Sequence, residues 1–265
     1  MKIALVGAGN VAGHLAKALE KMGHEVAAVY SRTRSHSEDL AHQLANATAT
    51  ESLNFLSYDL DLAVIAVSDT AIASVAKQLE VKPGTIVCHT SGSQPLAILA
   101  AVAGARTGVL YPLQTFSRSK AVDFSQTPIL IEAEDEATLQ QLQQLAKTLS
   151  PIVHQVSSLL RKHLHLSAVF ACNFTNHLLG ISRELLSEAN LPIELLHPLI
   201  QETIAKAMQQ DPFQVQTGPA VRHDQNVIEE HLAMLHHHPA YKELYLKLTQ
   251  SIQAKHSAAN SSKIL

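Results

Sequence analysis

The chain has 265 residues, 46% of them hydrophobic, which exceeds one ordinary domain and suffices for a sizeable core, so it reads as a two-domain soluble protein. A formal net charge of −3, with no basic cluster interleaved with aromatics, argues against a nucleic-acid footprint. The two cysteines, Cys88 and Cys172, stand far apart in apolar stretches and read as reduced thiols of a cytoplasmic protein.

The chain opens with a short apolar strand, Lys2 to Val6, that runs straight into Gly7-Ala8-Gly9-Asn10-Val11-Ala12 and then a helical pattern. This opening is too short for a signal peptide and lacks a cleavage-like site, and no later stretch is long enough to span a membrane. Strand, Gly-x-Gly-x-x-Ala turn and helix in that order begin a dinucleotide-binding fold. Gly7 permits the tight turn, Gly9 lets backbone approach a pyrophosphate, and small Ala12 lets helix and strand pack closely.

The next strand, Glu25 to Tyr30, ends in Ser31-Arg32-Thr33-Arg34. An acid at this place would accept the ribose 2′-hydroxyl of NAD. Hydroxyls and guanidiniums instead suit a 2′-phosphate, so the expected cofactor is NADP. Asp61 to Val67 reads as a strand ending at Ser68-Asp69-Thr70, residues of capping type, so that Val67 and Ser68 should also face the cofactor. Gly84 to Cys88 ends in His89-Thr90-Ser91-Gly92-Ser93, which places His89, Thr90 and Ser91 near the nicotinamide. Arg106 to Leu110 follows and leads into Tyr111-Pro112-Leu113-Gln114-Thr115. Strand Pro128 to Ala133, a helix through Leu139, Leu142, Leu145 and Leu149, and strand Ile152 to Val156 complete the first domain.

The expected fold class is therefore α/β: a Rossmann-type parallel-sheet domain over residues 1–156, followed by an all-α domain over 157–265 for substrate and dimerisation. Prolines 192, 212, 219 and 239 punctuate the helical part, and Ala254 to Leu265 reads as a frayed end. Within it, Lys162 to His177 is an apolar helix carrying Lys162, His165, Asn173 and Asn176 within roughly 80° at about 100° per residue. A polar stripe on such a helix suggests a cleft, a solvent-facing stripe or a buried polar network. His236-His237-His238 has no carboxylate or cysteine at ligand spacing beside it, so no metal is expected.

The glycine motif, Ser31-Arg32-Thr33, His89 to Ser93, Tyr111 to Phe116, His165 through Asn173, and Thr217 to Ala220 with Arg222 and Asp224 together make the chain resemble a known group. Its members join an NADP-type Rossmann domain to a helical C-terminal domain of unknown function, within the wider pyrroline-carboxylate reductase-like and 6-phosphogluconate dehydrogenase-like set. The resemblance implies a small 2-oxo acid as substrate class, such as ketopantoate. Better-known β-hydroxyacid dehydrogenases carry an asparagine four residues after a catalytic lysine. Here Leu166 stands four residues after Lys162, and Tyr111 replaces the histidine that precedes the proline in many relatives.

Residues and resemblance lead to an NADP(H)-dependent oxidoreductase acting on a small carbonyl or imine compound. His165 is the first expectation for the acid, because imidazole titrates near operating pH, with Lys162 second and Asn173 as an orienting donor. Ser91, Tyr111, Gln114 and Arg222 are the expected substrate contacts. The alternative is a non-catalytic NADP(H)-binding sensor or scaffold. A homodimer through the leucine-rich helices is expected, with no nucleic-acid or membrane partner.

Overall fold

The computed structural model describes residues 1–117 and 119–261, and its compact units divide between Phe170 and Ala171. In the first unit the strands are β1 (Lys2–Val6), β2 (Glu25–Tyr30), β3 (Thr48–Thr50), β4 (Leu62–Ile65), β5 (Ile86–His89), β6 (Arg106–Pro112), β7 (Ile129–Ala133) and β8 (Val153–Gln155). They form one sheet in the order β3-β2-β1-β4-β5-β6-β7-β8. The order reverses between β1 and β4, the crevice where open α/β sheets bind ligands at their carboxyl ends.

Helices α1 (Asn10–Lys21), α2 (Arg34–Ala41), α3 (Asp69–Gln78) and α4 (Glu136–Leu149) cover the sheet. Because strand side chains alternate, Ile3 and Leu5 pack on one face with Leu15 and Leu19 of α1 and Leu142 and Leu145 of α4. Ala4 and Val6 pack on the other, with Ile72 and Val75 of α3, Phe55 and Leu99. Burial on both faces explains why β1 and β4 read as unbroken apolar runs. The pair β6–β7 is antiparallel, in contrast to the parallel sheet expected. The described residues between 113 and 128 contain only a 3-10 turn, Phe124–Gln126, and no crossover helix that could return the chain for a parallel pairing.

Helix α5 (Ser158–Ala168) also belongs to the first unit. The sequence changes from strands to helices near Ser157, but α5 is held against the sheet by Arg161, so the compact units divide later. From Val169 to Phe174 the helix winds with i→i+5 hydrogen bonds before α6 (Thr175–Glu188) resumes. The second unit continues with α7 (His197–Gln209), α8 (Pro219–Arg222), α9 (Gln225–Met234) and α10 (Pro239–Ser261). The end expected to fray from Ala254 is thus helical through Ser261, while 262–265 lie outside the described residues. No helix among the described residues is long and apolar enough to cross a membrane.

Candidate functional site

The glycine turn follows β1. Gly7 adopts φ +127°, and a Cβ there would lie 2.3 Å from the Ala66 carbonyl oxygen, so the fold itself requires glycine. Gly9 precedes the first turn of α1 and differs: a Cβ there would meet nothing within 4 Å. The space in front of this helix N-terminus is open to a ligand. Ala12, in the first turn of α1, is fully buried, which its small size permits. A cavity of about 410 Å³ adjoins the turn, bounded by Gly9, Asn10, His14 and Lys17 and, from α2, by His36 and Asp39. A larger cavity of about 560 Å³ lies at the opposite, amino edge of the sheet, beside Met1, Asp61 and Arg106. The segment after β6 folds over the start of α1: Asn10 Nδ2 donates to the Phe116 carbonyl (3.1 Å), and His14 Nε2 lies 2.9 Å from that of Ser117.

After β2, the Ser31 hydroxyl oxygen accepts the Thr33 amide (3.2 Å), and the Thr33 side chain makes no capping bond to α2. Arg32 is exposed and has no ion-pair partner among the described residues, whereas Arg34 is tied to Glu38 (2.8 Å). Two hydroxyls and an uncommitted guanidinium therefore stand together in the turn after β2. Val67 is half-buried beside Gly7, and Ser68 is exposed before α3.

The carboxyl ends of β5 and β6 form the second part of the site. Tyr111, near the end of β6, is hydrogen-bonded through its hydroxyl to His165 Nδ1 (3.2 Å), with the rings edge-on. Gly92 packs against both: a Cβ there would lie 2.6 Å from His165 Nδ1 and 2.8 Å from Tyr111 Cζ. Burial, then the nearby Asp69 carboxylate, push the Tyr111 phenol above its ordinary range, so it stays protonated.

Arg161 sets the rotation of α5. It lies one turn before His165, on the same helix face, and is fully buried. Its Nε donates to the Ser91 carbonyl (3.1 Å), Nη2 to that of Gln94 (2.6 Å), and Nη1 pairs with Glu132 of β7. Glu132 also accepts the Ser158 amide (2.9 Å) and so caps α5. Sequence reasoning missed this pair. Its signal was Glu132 itself, a charge after Ile129-Leu130-Ile131 that needs a buried partner.

Two expectations need correction. The His89 imidazole is fully buried, accepts the Ser91 amide at Nδ1 (3.1 Å), and has no access to a ligand. Its Nε2 has no well-formed hydrogen bond among the described residues. Burial, then the nearby Arg161, lower its pKa to about 4, an effect the Pro95 carbonyl offsets in part. The Ser91 hydroxyl is likewise spent on its own loop, accepting the amides of Ser93 (3.1 Å) and Gln94 (3.0 Å). A strand-end position made both look available, but the tight turn after β5 draws them inward.

Of the other expected residues, Thr90 is half-buried beside β4, its amide donating to the Ile65 carbonyl. Gln114 is exposed and bonded to Thr115 (2.8 Å). Lys162 is exposed, without an ion-pair partner among the described residues. Asn173 and Arg222 are exposed and belong to the second unit. The i→i+5 winding of 169–174 changes the phase that the helical wheel assumed, so Asn173 and Asn176 do not continue the stripe of Lys162 and His165 at 100° per residue. The fold also brings carboxylates to the histidine run: ligand atoms of Glu184, Glu188 and His238 lie within 4.8 Å of one another. His238 is already paired with Glu188 (3.0 Å) and Glu184 with the Tyr241 hydroxyl.

A family model for a Rossmann-like domain matches residues 1–115, and one for the domain of unknown function DUF2520 matches residues 127–252. Among solved structures, the Bacteroides fragilis protein BF3122, provisionally named an NADP oxidoreductase, is 40% identical. The match covers 96% of this chain and 98% of that one, with a TM-score of 0.88. Protein TM1727 from Thermotoga maritima is 20% identical over 97% of this chain and 99% of its own, with a TM-score of 0.66. A reductive aminase from Aspergillus terreus, solved with NADPH and ethyl-5-oxohexanoate, is 16% identical over 96% and 92%, with a TM-score of 0.67. The last two are likenesses of fold. A search of the curated proteins finds no match.

Proposed function

Because the chain belongs to the family that joins a Rossmann-like domain to the DUF2520 domain, as its 40% identity to BF3122 over nearly all of both chains shows, we propose that it is an NADP(H)-dependent oxidoreductase acting on a small carbonyl or imine compound. The observation that carries the reading is a hydrogen-bonded Tyr111–His165 pair on the same sheet edge as a glycine turn whose second glycine faces open space. The backbone of Gly7, Gly9, Asn10, Val11 and Ala12 would hold the pyrophosphate at the α1 N-terminus. Ser31, Arg32 and Thr33 would hold the 2′-phosphate, with Val67, Ser68 and Thr90 lining the same edge. NADPH, when bound, supplies the hydride.

The chain supplies the proton and the orientation. His165 is the acid. In that role the ring is an imidazolium: Nδ1–H donates to the Tyr111 hydroxyl oxygen, and Nε2–H is left to protonate a substrate oxygen or nitrogen, which returns the ring to its neutral form. Tyr111 fixes the ring, and Arg161 fixes the helix that carries it. Lys162 and Gln114, both exposed, remain candidate substrate contacts within the first unit.

We also infer a homodimer. Among the described residues the second unit buries few apolar side chains, chiefly Ala220, Ile228 and Leu235. Leu195, Leu199, Met208 and Met234 stay 62–85% exposed.

Titration with NADPH and NADH tests the cofactor assignment. NADPH is expected to bind at least about tenfold tighter, since a paired phosphate is worth about 1.4 kcal/mol or more, and Arg32→Asp should erase the preference. Equal affinities in the unmodified protein would overturn it. Binding without turnover on any carbonyl or imine would favour a sensor.

A further inference from the structure

We infer that the Tyr111–His165 edge takes a substrate bearing positive charge, an amine or an iminium, with Asp69 as its counter-charge. The inference rests on the oxidoreductase reading above and narrows its substrate class.

Asp69 opens α3 at the carboxyl end of β4 and is half-buried. Its Oδ2 accepts the Ser93 hydroxyl, and Ser93 adjoins Gly92, which lies against both the Tyr111 ring and His165. The carboxylate is therefore tied to the loop that packs against the acid pair. Its other oxygen has no hydrogen-bond partner, and the group has no ion-pair partner, among the described residues. A neutral hydroxyl leaves most of the attraction of a carboxylate for a cation unused.

The neighbouring cations do not cancel it. Arg161 is fully buried, neutralised by Glu132, and its remaining donors are spent on the Ser91 and Gln94 carbonyls. The Lys162 ammonium stands in solvent, one residue off the face shared by Arg161 and His165. Apart from the solvent-exposed Lys162, the uncompensated charge described at this edge of the first unit is the carboxylate of Asp69. The field of Asp69 reaches its surroundings, since it raises both the Tyr111 phenol and the His89 imidazole after their larger burial effects. An ammonium or iminium placed here gains a counter-ion in a half-desolvated setting. The carboxylate of a 2-oxo acid would instead meet like charge.

Calorimetric titration at about pH 7, with and without NADP, uses three small probes. Pyrrolidine is a cation at that pH, cyclopentanone is a neutral ring of the same size, and pyruvate is a 2-oxo acid. Pyrrolidine is expected to bind most tightly and pyruvate least. Asp69→Asn keeps the size of the side chain and an oxygen for Ser93. It should lower pyrrolidine affinity roughly 10- to 100-fold and leave cyclopentanone unchanged. A melting curve of the variant separates this from a loss of helix stability at α3. Equal pyrrolidine affinity in both proteins, or pyruvate as the tighter ligand, overturns the inference and leaves the oxidoreductase reading standing. Failure of NADPH to bind in a separate titration overturns that reading, and the inference falls with it.

Discussion

Replacing Gly92 with alanine should disable the acid pair while leaving the nucleotide site intact. The added Cβ would lie 2.6 Å from His165 Nδ1, 2.8 Å from Tyr111 Cζ and 2.9 Å from His165 Cγ, where ordinary contact begins at 3.4 Å. The deficit at Nδ1 is about 0.8 Å, and both rings must retreat to absorb it. Their hydrogen bond starts at 3.2 Å, so a comparable retreat carries it out of bonding range. A displacement of this size costs roughly 100-fold in turnover. The overpacking itself costs about 1–3 kcal/mol of stability, read from urea unfolding. NADPH affinity should hold, because Gly9 and Arg32 are untouched. The assay pairs turnover on a substrate of the unmodified enzyme with the nitrogen NMR shift of the His165 ring, which reports the bond to Tyr111 without any substrate. An unchanged shift together with full turnover would refute the reasoning.

Three other outcomes follow from the same geometry. Arg161→Ala should cost about 3–5 kcal/mol in urea unfolding, because Glu132 and two carbonyls lose their partner; Arg161→Met combined with Glu132→Gln should cost less. His89, with its pKa lowered to about 4 against an ordinary 6.5, binds fewer protons folded than unfolded between those values. Its contribution is complete above pH 6.5 and is lost as pH falls toward 4, by about 3 kcal/mol. His89→Asn, which keeps an acceptor for the Ser91 amide, should flatten that part of the stability profile. Light scattering at micromolar concentration should give twice 28.7 kDa, and a monomer would refute the dimer.

The sheet was legible wherever burial on both faces leaves an unbroken apolar run, as in Lys2 to Val6 and Glu25 to Tyr30, whose bounds match β1 and β2. The leucines at 139, 142, 145 and 149 gave α4 by their spacing, and all four are buried. Strand β3, the three residues Thr48–Thr50, was not legible, since alternating Thr and Ala carry little pattern. At the site, Tyr111 and His165 were each nameable from sequence, but their bond spans 54 positions and depends on Arg161 turning α5. Periodicity could not give that anchor. A wheel drawn at a constant 100° also fails beyond Val169, where the winding changes. His89 and Ser91 show the converse: residue type and strand-end position marked them, and only the path of the turn shows that they face inward.

The two glycines of the opening motif answer to different selection pressures. Position 7 is closed by the Ala66 carbonyl whatever the protein does, whereas position 9 is constrained by nothing the chain itself places nearby. In a randomised library screened only for soluble expression, position 7 should stay glycine while position 9 drifts to alanine or serine. Adding a round of selection on immobilised nucleotide should recover glycine at 9. The difference between the two rounds would separate, within three residues, the information the sequence spends on folding from that spent on its ligand.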